Sequence, residues 1–117
     1  VVYYANYLKF LERARSEAIA DIRLSNQKIK KDFGLLIIVK SCNVDFKKSA
    51  FLEDILKIKS SIISFSKTSL SMKQIISKED DIIVNAKVHL VFINEKGKPN
   101  RIPEEIMIKL KPYLSDG

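Results

Sequence analysis

A chain of 117 residues is close to the size of one compact domain, so a second independent core is not expected. Hydrophobic residues make up 46% of it and charged residues 30%, a balance that excludes intrinsic disorder and collagen-like structure. The formal charge of +7 admits nucleic acid, an anionic membrane or a phosphorylated ligand without choosing among them, because the lysines are scattered, with no run longer than Lys30-Lys31 or Lys47-Lys48.

The apolar run Leu35 to Val39 is far short of the ~20 residues a membrane helix needs. No basic-then-apolar signal segment opens the sequence, so a cytoplasmic chain with no integral membrane segment is expected. Cys42 and His89 are each the sole residue of their type, which excludes an internal disulfide, a cysteine zinc cluster and a histidine-rich metal site; no metal and no cofactor are expected.

From Tyr7, apolar or small residues recur at Phe10, Leu11, Ala14, Ala18 and Ile22, the spacing of one helical face. Asn6 is the expected N-cap, Arg13 and Glu17 can pair one turn apart, and the small Ala14 and Ala18 predict a close helix-to-sheet approach. A polar stretch from Ser25 to Asp32 follows, and then the period changes to two. Leu35 to Val39 is a continuous apolar run, after which Cys42, Val44 and Phe46 alternate with polar neighbours, placing Cys42 in the core. Leu56 and Ile58 share one parity whereas Ile63 and Phe65 take the other, which predicts a bulge or bend. Leu70 and Met72 begin the next strand, and Ile82, Val84, Ala86, Val88, Leu90 and Phe92 supply six same-face positions in the last, with His89 on its outer face. Short polar breaks at Ser66-Lys67, Glu79 to Asp81 and Glu95 to Pro99 suit antiparallel hairpins. Pro103 followed by Glu104 and Glu105 opens a final helix. The sum is an α+β domain over residues 1–117, with the first helix covering one face of a four-stranded antiparallel sheet.

The segment from Val1-Val2-Tyr3-Tyr4 through Asn6, Tyr7, Phe10 and Leu11 to Glu12-Arg13-Ala14-Arg15-Ser16-Glu17 closely resembles the central-helix motif of hotdog-fold acyl-CoA thioesterases. It is most similar to the Tol-Pal-associated branch related to 4-hydroxybenzoyl-CoA thioesterase. The register continues through Val44-Asp45-Phe46, Leu52-Glu53-Asp54, Thr68-Ser69-Leu70 and Gly97-Lys98-Pro99-Asn100-Arg101-Ile102-Pro103-Glu104, so the resemblance covers essentially the whole chain.

The resemblance implies a sheet wrapped round the central helix, two protomers joined edge to edge as a homodimer or homotetramer, and acyl-CoA, or an acyl carrier protein thioester, in the cleft between them. It also implies a catalytic aspartate just before the helix. No residue from Val1 onward matches it, so the expected aspartate precedes Val1 and the domain is expected to be N-terminally incomplete. Tyr4 and Asn6 are then supporting residues at the catalytic helix end, and Lys67, Thr68, Ser69, Lys98 and Arg101 are the candidates for binding CoA. Glu12 and Arg15 are expected to be structural, ion-pairing residues. The alternative is a non-catalytic hotdog that binds acyl-CoA or serves as a scaffold. Nucleic-acid binding would need exposed aromatics among clustered basic residues; here the aromatics mostly fall at apolar parity, so no nucleic-acid partner is expected.

Overall fold

The computed structural model describes residues 4–21, 24–48, 50 and 54–115. Helix α1 (Tyr4–Asp21) is followed by α2 (Asn26–Phe33), strands β1 (Leu36–Phe46), β2 (Lys57–Phe65), β3 (Ser69–Lys78) and β4 (Asp81–Ile93), then helix α3 (Glu104–Leu110) and a single 3-10 turn at Lys111–Tyr113. The strands form one antiparallel sheet in the order β1-β4-β3-β2. No helix among the described residues is long and apolar enough to cross a membrane.

The helix α2 replaces the polar connection expected at residues 25–32. Ser25 caps it, its hydroxyl accepting the Lys28 N–H at 3.0 Å, and Gly34 ends it at φ 69°, donating its N–H to Lys30 O at 2.9 Å. Only Ile29 of this helix is buried, so one apolar contact and two caps hold a segment too polar to show a periodic stripe. A β-carbon at Gly34 would meet nothing closer than 3.8 Å, which leaves the left-handed backbone as the obstacle to other residues. Gly34→Ala should therefore cost about 1 kcal/mol and lower the melting temperature by roughly 3–6 °C, read by thermal denaturation.

One face of the sheet carries the core. Tyr7 and Leu11 of α1 pack with Ile76, Val84 and Ala86, while Leu70, Met72, Val88, Leu90 and Phe92 form a second cluster with Leu24, Ile29, Ile106 and Leu110. Tyr7 stacks on Phe46 with ring centroids 5.7 Å apart, and its buried hydroxyl accepts the Ala50 N–H at 3.1 Å. The bulge expected in β2 falls at Ile63, where the register shifts between Ile62 and Ser64. A second shift, between Ile76 and Ser77 of β3, inserts Ile83 as the extra residue of β4; Ile83 is buried and Ile82 is turned out to 44% exposure, correcting the expected parity of Ile82.

Three other expectations change. Phe10 is 38% exposed instead of buried. Ala14 and Ala18 are half-buried and line a groove of about 550 Å³ between α1 and β2, with Ile58 and Ser60 opposite, so they do not mark a tight helix-to-sheet contact. Cys42 stands opposite Val88 and thus on the core side, as its parity required, yet it is exposed, because β1 is the outermost strand and no described residue covers it.

The outer face of the sheet is polar and basic. Lys73 and Lys87 stand directly opposite each other on β3 and β4, and Lys57 and Lys59 project from the same face of β2.

Candidate active site

Helix α1 begins at Tyr4, so Asn6 is the third residue of the helix and not its N-cap. The first described turn, Tyr4 to Tyr7, lies at the positive end of an 18-residue helix dipole, where backbone N–H groups have no partner among the helix's described residues. Asn6 is half-buried there and Tyr7 is fully buried, tied to the residue 50 loop by its hydroxyl. The side chain of Tyr4 is outside the described residues. Glu12 is exposed two turns further along α1, remote from this end.

Arg15, expected to be a structural ion-pairing residue, is held by a hydrogen bond to an amide. Its Nη1 donates to Gln74 Oε1 at 2.7 Å, and the Gln74 amide nitrogen donates in turn to Leu11 O and Ser60 Oγ, both at 3.0 Å. Burial lowers the Arg15 guanidinium pKa from its ordinary value, opposed by the nearby Cys42 and Glu12. Gln74 has no exposed surface, and its sequence signal was its position in the inward row of β3 with Leu70, Met72 and Ile76, the one amide in an apolar series.

The candidate CoA-binding residues divide into three settings. Lys67 and Arg101 come together, joined through Ile102 N–H to Lys67 O at 2.8 Å, and line an open groove of about 920 Å³ closed on one side by the start of α3. Glu104 shares that groove, so its charge is mixed. Thr68 and Ser69 sit in the β2–β3 turn, where Ser69 is buried and its hydroxyl meets Ser66 Oγ at 2.6 Å, committing it to the turn rather than to the groove. Lys98 is in the turn that follows β4, exposed, its N–H donated to Asn94 Oδ1 at 3.1 Å. His89 is far from α1 in orientation, on the outer sheet face, with its Nδ1 3.0 Å from Ser71 Oγ.

An apolar cavity of about 40 Å³ lies between the sheet and the helices, walled by Ala18, Leu24, Ile37, Met72, Leu90 and Leu110 among others. Among the described residues no three His, Cys, Asp or Glu side chains gather as a metal site. What the arrangement offers chemically is oriented N–H groups at a helix end, an apolar interior beside that helix, and a surface groove that sets Lys67 and Arg101 beside Glu104.

A four-stranded antiparallel sheet folded against one long helix, with short helices closing its far end, is the α+β hotdog architecture. The chain belongs to the thioesterase-like superfamily, whose model matches residues 1–110. It is 33% identical over 113 residues to the acyl-CoA thioester hydrolase YbgC of Escherichia coli O6:H1, covering 95% of this chain and 84% of that protein. The acyl-CoA thioesterase YbgC of Haemophilus influenzae is 27% identical over 107 residues, covering 91% of this chain and 79% of that protein. A probable thioesterase from Bartonella henselae superposes with a TM-score of 0.81 at 35% identity, covering 88% of this chain and 86% of that one.

Proposed function

We propose that this chain is the body of an acyl-CoA thioesterase that hydrolyses its substrate to free acid and CoA. The observation that carries the reading is the 33% identity to an acyl-CoA thioester hydrolase along 95% of the chain. A thioester carbonyl is already reactive. A carboxylate that attacks it or activates water, plus N–H donors that hold the developing oxyanion, is sufficient apparatus.

In this reading the first turn of α1 polarises the carbonyl, Tyr4 lends a hydrogen bond, Asn6 shapes the helix end, and the carboxylate is an aspartate preceding Val1, as the α1 motif implies. The finer placement in the Tol-Pal-associated branch rests on that same motif. Lys67 and Arg101 receive the CoA phosphates in their shared groove, with Thr68 and Lys98 at its approaches and Ser69 holding the turn. The active form is a homodimer joined along β1, whose outer edge has no strand partner among the described residues.

Release of CoA thiol, followed with a thiol-reactive dye across short, long and aromatic acyl-CoAs and the matching acyl carrier protein thioesters, tests the activity and identifies the carrier. Tyr4→Phe should reduce turnover by a factor on the order of ten to a thousand if its hydroxyl bonds the transition state. No turnover of any thioester by the full-length protein, with CoA binding preserved, would replace this reading with a non-catalytic acyl-CoA-binding hotdog.

A further inference from the structure

We propose that Gln74 is a positioning residue for this reaction: by tying Leu11 and Arg15 of α1 to β3 and β2, it sets where the catalytic end of the helix stands relative to the sheet. The proposal rests on the thioesterase reading and deepens it. Gln74 and Ser69 are the polar side chains buried in the described structure, and Ser69 is consumed by its own turn. Gln74 is different, because every bond it makes crosses between elements.

Its amide nitrogen reaches Leu11 O, a helix carbonyl, and Ser60 Oγ on β2, while its oxygen receives Arg15 Nη1, one turn further along α1. Two anchor points a turn apart on one helix fix both its rotation and its axial position. An apolar stripe alone does neither, since hydrophobic contact is non-directional. A leucine or methionine at this inward position would fill the core without needing any partner, so burial does not require glutamine there. What glutamine adds is direction. Leu11 is about 10 Å along the helix axis from Tyr4, and a rigid helix carries any displacement at Leu11 to its first turn. A misplacement of about 1 Å at the reacting centre can cost about a hundredfold in rate.

The test compares wild-type full-length protein with Gln74→Met, which keeps the volume and removes all three bonds, and Gln74→Glu, which keeps an acceptor for Arg15 and loses the donors to Leu11 and Ser60. Acyl-CoA turnover, CoA affinity and thermal unfolding are measured for each. The expected result is a kcat lowered about thirty- to a hundredfold by Gln74→Met and about tenfold by Gln74→Glu, with KM and CoA affinity within about threefold and cooperative unfolding retained. A kcat within threefold of wild type in either variant that folds overturns the proposal. So does a loss of activity that only follows the folded fraction, which would make Gln74 a structural residue alone. Absence of turnover in the wild-type protein is a separate failure, of the thioesterase reading itself.

Discussion

Replacing Ile38 and Val39 together by lysine should convert the proposed dimer to a monomer and cost on the order of a hundredfold in thioesterase turnover. Among the described residues, strand β1 is paired on one side only, to β4, which leaves its other edge for a further strand. Leu36, Ile38 and Val39 are exposed at 41%, 41% and 49%, and Ile38 and Val39 stand opposite Val91 and Leu90, so apolar surface is presented on both faces of the edge. A two-fold contact sets one patch against its own copy, and every lysine introduced there faces lysines across the axis. Light scattering at micromolar concentration should give the wild type twice the mass of one chain and the variant the mass of one. The activity falls with it because the proposed cleft lies between protomers. A wild-type protein already monomeric, or a variant that stays dimeric with full activity, would contradict the edge-to-edge assembly.

Phe92→Ala should destabilise the fold by about 3–5 kcal/mol, enough to lower the melting temperature by roughly 10–20 °C. Phe92 has no exposed surface and sits near the end of β4, an interior strand paired on both sides, where its backbone also accepts Asn100 N–H at 2.8 Å and donates to Thr68 O at 2.9 Å. Those backbone bonds survive the substitution, so the loss is of packing: removal of the ring leaves a void among Leu35, Ile102 and Ile106 that rigid neighbouring strands cannot close. Ile108→Ala is the control. At 62% exposure on α3, it should change stability by less than about 0.5 kcal/mol, and urea denaturation of both variants checks the contrast.

The strands were readable where one face was buried and the other was wet, because alternation reports that condition directly. β3 and most of β4 meet it. Parity failed at Ile82, since a bulge adds one residue that no alternation count can place; at Cys42 it gave the right face, but parity states the direction of a side chain and not whether anything covers it. The short helix α2 was missed because one buried residue makes no stripe, although Ser25 and Gly34 carried its start and stop. At the site, the helix of α1 was evident from its period, and the grouping of Lys67 with Arg101 followed from a register no local pattern contains. Gln74 passed unnoticed because a single amide in an apolar row gains meaning only when its partners on α1 and β2 are known.

The lysines on the outer sheet face bear on how the assembly can grow. Packed sheets stand about 10 Å apart and side chains fill the gap, so lysine cations from two facing sheets would meet within the Debye length of about 8 Å at physiological ionic strength and repel with only partial screening. A second copy brought face to face would set Lys57, Lys59, Lys73 and Lys87 against an identical field, on top of the repulsion already present between Lys73 and Lys87 within one sheet. The face thus resists lateral stacking while the uncharged rim at Ile38 and Val39 does not, and self-association is steered to the strand edge by electrostatic exclusion elsewhere. Dissolved salt, which shortens the reach of those charges, is the variable that would relax this bias.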